Sequence, residues 1–300
     1  MIWVVGAVAI DMVAVRERFL DGTSNPSDIR LGLGGVGYRI FSNLETPRRF
    51  ITALALDPIS RWAREALEAD GDVAIQEVKG QAARPPLYLA LMESGNLKVA
   101  ASDFRIVEQA LTPEFVMRQV GEPSARDFLV LDANLSPRLL AGLVDRYARQ
   151  TRVVFEPVSV EKTRRHLEAL RRLFLITPTT EELDALGAAS GDAESASGDA
   201  ESAFGDAESA SGDADLLRFM AEREIANLLV TRGPAGTRLF GEGRCIDFPP
   251  RTVVSAPDTT GAGDQLLALL LSFLHEGRAI EDAVRAAMDK VEERLQKGSP

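Results

Sequence analysis

The residues with the most chemistry to offer are Asp258-Thr259-Thr260-Gly261-Ala262-Gly263-Asp264, which run directly into the apolar stretch Leu266 to Leu274. Thr259 or Thr260 can cap a helix that begins at the glycines. Gly261, Ala262 and Gly263 carry almost no side chain, so a ligand can reach their backbone N–H groups. Those amides open the helix without intrahelical partners, at its positive end, and so make an anion site. Asp264 falls in the first turn and points at the same spot. The helix end favours negative charge, so its carboxylate is expected to be ionised. Donors for an anion beside an ionised carboxylate suit transfer of a phosphoryl group to an alcohol. The amides stabilise charge on the moving oxygens while Asp264 accepts the hydroxyl proton. The plain alternative is a capped helix with a glycine turn.

Such a site needs a scaffold, and the chain predicts one. Short apolar runs at Ile2–Val5, Phe50–Leu54, Phe128–Leu131, Val153–Phe155, Phe174–Ile176 and Leu228–Thr231 read as strands. Helical stretches separate several of them. Ser136 to Gln150 is one, where Ser136 can cap and Pro137 suits the first helical position; Glu161 to Leu173 and Leu216 to Glu224 are others. Apolar strands alternating with helices indicate a parallel sheet covered on both faces. Leu87–Met92 and Leu97–Ala101 flank Glu93-Ser94-Gly95-Asn96 and predict a hairpin around a Gly-Asn turn. With Val13 to Leu33 it would form a small β-lid over one edge of the main sheet. Asp11 follows the first strand, where open α/β sheets bind ligands, and a carboxylate there can accept from two ribose hydroxyls. Its plain alternative is a loop acid.

The 258–264 run resembles the C-terminal signature of the ribokinase (PfkB) family of sugar and nucleoside kinases, and the resemblance spans nearly the whole chain. Gly34-Gly35-Val36-Gly37 resembles the family's di-glycine substrate motif, and Asp11 its early substrate-binding aspartate. Thr231-Arg232-Gly233-Pro234-Ala235-Gly236 resembles the nucleotide-contacting strand and turn. Thr177-Pro178-Thr179-Thr180-Glu181-Glu182 resembles the segment linked to magnesium and phosphate. Tyr88 to Leu91, Ala101 to Phe104, Leu131 to Leu135, and Glu156 to Ser159 with Lys162 are most similar to pseudouridine kinases, although related kinases usually have Asp where Glu156 stands.

The resemblance implies an α/β, ribokinase-like three-layer sandwich with a mostly parallel central sheet and a small β-lid. It implies one kinase domain over 1–300, with lid segments near 12–33 and 86–104. Asp264 would be the base, with Gly261, Ala262 and Gly263 as the anion hole. Asp11, Gly34 and Gly35 would hold the sugar, and Arg39, Asp103 and Asn134 would add substrate contacts. Thr231, Gly233 and Gly236 would line the nucleotide side, and Glu182 the metal side. ATP and Mg²⁺ are the implied cofactors, a monovalent cation is left open, and a homodimer paired through the lids is the family expectation. Each residue also has a plainer role: flexible turns for the glycines, a hairpin acid for Asp103, and a strand-turn-strand for 231–236. Thr179-x-x-Glu182 is also a capping box.

Four positions depart from the pattern. Arg39 stands where the family has an asparagine that bonds the sugar, and Arg has donors but no acceptor. It either turns outward or reaches an anionic substrate group. Thr179 replaces an asparagine, Ser60 a glycine, and Gln265-Leu266-Leu267-Ala268 the usual small residues. Three functions therefore stay open: a kinase producing pseudouridine 5′-phosphate, a kinase for another sugar or nucleoside, and a nucleoside- or nucleotide-binding protein without turnover.

Composition narrows the classes further. The chain has 300 residues, 45% hydrophobic and 26% charged, with a net charge of −11. That argues against nonspecific nucleic-acid binding, which needs a basic footprint. Seven of the acids belong to a heptad-repeated segment, Gly191-Asp192-Ala193-Glu194-Ser195-Ala196-Ser197 and its successors, whose removal leaves −4. Small, acidic and without an apolar a/d pair, residues 189–214 read as a flexible surface insertion. The single cysteine, Cys245, excludes an internal disulfide. Nine residues from Leu266 to Leu274 are too few for a bilayer span. The apolar start lacks a basic n-region and reads as a buried strand, so a cytoplasmic location is expected. His166 and His275 have no metal-ligand spacing and are expected on helix surfaces.

Overall fold

The computed structural model describes residues 1–80, 83–187, 210–252 and 261–297. The strands, in chain order, are β1 (Ile2–Val5), β2 (Ala9–Arg16), β3 (Asp28–Gly34), β4 (Arg48–Ala55), β5 (Val73–Val78), β6 (Leu87–Glu93), β7 (Asn96–Asp103), β8 (Phe128–Asp132), β9 (Arg152–Glu156), β10 (Leu175–Ile176), β11 (Asn227–Thr231), β12 (Thr237–Gly241) and β13 (Arg244–Phe248). The helices are α1 (Val36–Asn43), α2 (Pro58–Asp70), α3 (Arg105–Ala110), α4 (Pro113–Val120), α5 (Pro137–Tyr147), α6 (Val160–His166), α7 (Thr180–Gly187), α8 (Ala210–Glu222), α9 (Ala262–His275) and α10 (Ile280–Gln296).

Because apolar residues occupy both faces of the inner strands, the main sheet must be covered twice. In β1, Ile2 and Val4 pack toward α1, α2, α9 and α10, while Trp3 and Val5 pack toward α3, α4, α5, α7 and α8. The nine-stranded sheet runs β13-β12-β11-β10-β9-β8-β1-β4-β5, parallel from β11 through β5 and antiparallel at β12 and β13. The three-layer sandwich expected from the sequence is present. Helix α9 is buried from Gln265 to Leu274, since it is enclosed by the sheet, α1 and α10, which accounts for its unbroken apolar run.

After β1 the chain leaves the main sheet at Gly6 and enters a second, four-stranded sheet ordered β3-β2-β6-β7. There β2 pairs antiparallel with β3 and parallel with β6, and β6 pairs antiparallel with β7. This is the lid. Its hairpin turns at Ser94 (φ 49°) and Gly95 (φ 83°), not at Gly95-Asn96, and Asn96 already pairs with Glu93. Two positive φ values match the right-handed twist of the flanking strands.

Other expectations change. The helix expected over 161–173 stops at His166 and tightens into a 3-10 turn at Leu167–Ala169. His166 is buried rather than on a surface, its Nε2 3.2 Å from the Ala133 carbonyl and its ring against Phe155. Most of the 189–214 segment lies outside the described residues, but 210–214 opens α8. Asp213 there pairs with Arg238 at 2.9 Å, so this end of the segment is not a loose insertion. Strands β5, β12 and β13 were not foreseen. Of the departures from the family pattern, Ser60 is local architecture: Asp57 accepts from its Oγ at 2.6 Å and caps α2. Gln265 likewise donates its amide to Asn43 at 3.2 Å, joining α9 to α1.

The turn after β11 separates two glycines by what surrounds them. A Cβ on Gly236 (φ 87°) would lie 2.2 Å from the Phe248 carbonyl oxygen, whereas one on Gly233 (φ 52°) meets nothing within 4 Å. Gly233→Ala should therefore cost only the left-handed penalty, about 1–2 kcal/mol. Gly236→Ala adds a backbone clash and should cost distinctly more, as read from paired urea unfolding curves.

Candidate active site

Helix α9 begins at Gly261, whose φ of 82° places it in the left-handed region and turns the chain into the helix. No side chain caps this helix among the described residues; Thr259 and Thr260, expected as caps, lie outside them with Asp258. The Gly261 carbonyl accepts the first helical bond from Gln265 at 2.9 Å. No described residue accepts from the amides of Ala262, Gly263 or Asp264. The donors that define an anion site are free toward the described part of the molecule.

Asp264 sits beside them, with its carboxyl pushed up to about 7. Burial is the main cause; Arg39 opposes it, while Asp132 and Glu182 add to it. The sequence-based expectation of a firmly ionised carboxylate is corrected here. A helix end contributes about 0.3–1 kcal/mol, less than one pK unit, so burial among other carboxylates outweighs it. A group titrating near neutrality is better suited to take a proton and release it than one held fully ionised.

Asp264 opens on a cleft of about 180 Å³, lined among the described residues by Glu156, Thr177, Thr179, Glu182, Thr231 and Gly261, with Val158, Gly263 and several apolar side chains. That is below the roughly 300 Å³ of a whole-ligand pocket, and matches the phosphate end of a ligand. Glu156 ends β9, and its carboxyl is raised well above the usual range, first by burial and then by the charges of Asp264 and Glu182. It accepts from the Thr177 hydroxyl. The next turn holds Val158 at φ 67°, a strained conformation for a β-branched residue, with its amide bonded to Glu156. Glu182 closes a capping box on α7: it accepts from the Thr179 amide at 2.9 Å, and Thr179 Oγ1 accepts from its own amide at 3.3 Å. Burial raises its carboxyl too.

All donors here are oxygens, which suits Mg²⁺ held through water by Glu156 and Glu182. Among the described residues no three acidic or imidazole side chains gather closely enough to chelate a metal directly.

The base of the lid meets the start of α9 through Arg39. Asp11, in β2, packs against Gly34, where a Cβ would stand 2.0 Å from its Oδ2. Gly35 (φ 88°) leaves room for the β1–β2 crossover, since its Cβ would lie 2.7 Å from the Ala9 nitrogen. Burial raises the Asp11 carboxyl while Arg39 opposes that, donating from Nη2 at 3.4 Å. Asp132 is fully buried and accepts from the amides of Ala7 (2.8 Å) and Asn134 (2.9 Å), tying the ends of β1 and β8 together. Asn134 in turn accepts from Lys162 Nζ at 2.5 Å. These two line a second cavity, about 290 Å³, with Ser102, Asp103, Arg105 and Glu108 at the lid's edge. Asp103 is ion-paired there with Arg105.

The structure thus brings Asp264, Gly261, Gly263, Glu182 and Thr231 to one cleft and places Asp103 and Asn134 at a second. Asp11, Gly34 and Arg39 meet at the base of the lid, with Arg39 reaching across toward Gly261. Gly233 and Gly236 form the turn next to Thr231 without lining the cleft. Ala262 contributes only its backbone. Glu156, Thr177, Asp132 and Lys162 were not assigned from the sequence. Each stands at or just after a strand's C-terminal end or on the helix that follows, which was the available signal.

The raised Asp264 pKa fixes a sign. Folding binds a proton more tightly than the unfolded chain does, so this contribution to stability is full below about pH 4 and is lost as pH rises through about 7. Asp264→Asn removes the charged form, so at pH 8 it should melt higher than wild type, with the gap closing at pH 5. Differential scanning calorimetry at the two pH values checks this.

A family model for pfkB family carbohydrate kinases matches residues 1–289. The chain is 26% identical to a pseudouridine kinase from Escherichia coli, covering 95% of this chain and 87% of that protein. It is 28% identical to a pseudouridine kinase from Arabidopsis thaliana over 62% of this chain and 50% of that protein. It covers 44% of a pseudouridine-metabolizing bifunctional protein from Schizosaccharomyces pombe at 22% identity, so the chain spans about half the length of these last two relatives. Among solved structures, a ribokinase from Thermotoga maritima superposes with a TM-score of 0.77 at 20% identity, covering 100% of this chain and 95% of that one. The ribokinase of Arabidopsis thaliana complexed with ribose and ATP does so at 0.72 and 19% identity, covering 99% and 93%. With the start of α9, its aspartate and a four-stranded lid already in place, the match over 1–289 settles the lineage: the chain belongs to the pfkB family of carbohydrate kinases.

Proposed function

We propose that this chain transfers the γ-phosphoryl group of ATP to a hydroxyl of a ribosyl compound, with pseudouridine as acceptor and pseudouridine 5′-phosphate as product. One observation carries this: a carboxyl titrating near 7 stands beside three amides without described partners, at the mouth of one cleft. The Escherichia coli pseudouridine kinase, aligned over 95% of this chain, supports the choice of acceptor.

Asp11 would hold the sugar by accepting from its hydroxyls, with Gly34 giving the backbone room to approach. Asp264 takes the proton of the attacking hydroxyl as its oxygen bonds to phosphorus and the bond to the ADP oxygen breaks. The amides of Ala262, Gly263 and Asp264 stabilise charge on the equatorial oxygens. Magnesium, held through water near Glu156 and Glu182, supplies charge neutralisation when bound. Thr231 borders the nucleotide side, with the Gly233–Gly236 turn beyond it. The lid closes over the acceptor so that water does not compete with it.

An ADP-release assay with pseudouridine, uridine, ribose and adenosine, side by side, tests the proposal. Pseudouridine should give the highest kcat/KM. A different winner transfers the same chemistry to another acceptor, and ligand binding with no ADP release across the panel defeats it. Asp264→Asn should lower kcat roughly 10²–10⁴-fold, the range for a lost general base, with nucleotide affinity unchanged. For wild type, kcat should fall as pH drops below about 7, because the protonated carboxyl cannot accept the hydroxyl proton.

We also infer that two copies pair through their lids. Pairing places Leu31 opposite Met12 and Met12 opposite Leu89, and Ile29 opposite Ala14, with Leu91 opposite Val99, so all point to one face. Ile29 (70% exposed), Leu31, Leu89, Leu97 and Val99 make that face apolar, and the face turned away from it carries Asp11. Two such faces complement each other. Light scattering after gel filtration should give twice the chain mass, and Ile29→Asp with Val99→Asp should give a monomer.

A further inference from the structure

Arg39 is the cation nearest the acceptor base among the groups that act on it, and its placement is unusual. It sits in the short helix α1, locked by its own amide to the Gly35 carbonyl at 2.9 Å, while Asn43 donates to its carbonyl at 2.8 Å. Its guanidinium reaches Asp11 at only 3.4 Å, a loose pair, and faces Gly261: a Cβ built there would lie 3.0 Å from Nη1 and 3.4 Å from Cδ. A cation over the opening of α9 adds to the positive end of a helix whose first amides have no partner among the described residues. Asp11, paired with the guanidinium at 3.4 Å, and Asp264, in the first turn of α9, are the carboxyls that face this charge. An anion entering between guanidinium and amides would be held by both.

The landmarks identify the anion. Asp11 marks the acceptor sugar, Asp264 its attacking hydroxyl, and Gly261 the start of the anion hole. A group passing from nucleotide to acceptor crosses the space that Arg39 borders. Resting on the kinase proposal above, we propose that Arg39 is a catalytic residue that contacts the transferred phosphoryl group in flight, supplying from within the chain a planar cation to its equatorial oxygens. In the step, the acceptor oxygen bonds to phosphorus, the bond to the ADP oxygen breaks with its electron pair leaving on ADP, and the proton passes to Asp264. Arg39 exchanges no proton. Guanidinium suits the task because it stays charged and offers paired donors. Before substrate arrives, Asp11 holds the guanidinium aside; sugar hydroxyls that take over Asp11 free it for phosphate.

The experiment compares wild type, Arg39→Met, Arg39→Lys and Arg39→Asn. The side chain is 29% exposed, and ADP binding by each variant reports that it is folded. The first readout is binding, by calorimetry, of ADP with magnesium and aluminium fluoride, which mimics phosphoryl in flight, against ADP with magnesium alone. Arg39→Met should weaken the fluoride complex roughly 100-fold, the size of effect of one transition-state donor, and leave ADP unchanged. Arg39→Lys should fall between. The second readout is kinetic: kcat should drop by a similar factor in Arg39→Met and Arg39→Asn with acceptor KM moved less than about threefold. A third follows from charge. Asp264 is faced by Arg39 from α1, Asp132 from β8, Glu182 from α7 and Glu156 from β9, and Arg39 alone of these favours its ionised form. Removing it should move the acid limb of kcat upward.

Three results overturn the assignment while leaving the kinase proposal standing: unchanged fluoride binding, a loss confined to acceptor KM, or a gain in kcat for Arg39→Asn. The second would make Arg39 a grip on the acceptor, and the third an obstruction. A wild type that releases no ADP with any acceptor overturns both proposals.

Discussion

Negative charge crowded into one partly buried cleft governs this molecule. Glu156, Glu182 and Asp264 face the same small space, with Asp132 close behind, and burial raises all four carboxyls. Each unit of such a shift costs about 1.4 kcal/mol of differential interaction, which a chain without compensating need would remove by substitution. What the arrangement lacks is positive charge, and the elements around it supply that: three amides of α9 without partners among the described residues, one guanidinium from α1, and room for a hydrated divalent ion. The cleft is complementary to a polyanion together with its counterion, not to either alone.

The fold makes that crowding affordable by fixing backbones before side chains. β1, β8 and β9 are buried on both faces and end within one layer, so their C-terminal residues cannot drift apart. Asp132 locks two of those ends by accepting from Ala7 and Asn134. Gly6 and Gly37 admit that carboxylate, since a Cβ at either would lie 3.0 Å or less from its Oδ2. The crossover from β1 into the lid then sets Asp11 a few residues from the same lock. Asp11 and the cleft at Asp264 are thus held by neighbouring ends of one sheet, while the lid carries an exposed outer face.

How much of this could be read without coordinates varies with the kind of interaction. β1 was delimited to the residue because four consecutive apolar β-formers between a terminus and a glycine have few alternatives. Ser136 capping α5 was equally legible, and the structure has it accepting from the Leu139 amide at 3.2 Å. Asp264 could be singled out because its chemistry lies in a local motif. Its protonation could not, since that depends first on burial and then on Arg39, Asp132 and Glu182, all distant in sequence. Glu156 was visible only as a variation in a motif; its role emerges when Thr177 and the strained Val158 are placed around it. His166 was misplaced because periodicity over so short a helix does not say which face meets β9. The lid's apolar side was hidden until strand register aligned Leu31, Leu89 and Val99.

The departures from the family pattern divide on physical grounds into those absorbed by packing and one that is not. Ser60 satisfies its hydroxyl within its own cap, and Gln265 its amide within the α9–α1 contact, so both are accounted for by local structure. Thr179 keeps the capping box and leaves one Glu182 oxygen directed elsewhere than the Thr179 amide. Arg39 is different. It puts a charge where Asp11, Asp264 and the start of α9 converge, and it opposes the upward shift of both carboxyls. Its guanidinium pairs with Asp11, faces Gly261 and opposes the upward shift of Asp264, so a single side chain links the lid to the start of α9. Retention of an intact Gly261–Asp264 segment beside it favours a site in which the guanidinium has taken on work that an asparagine cannot do.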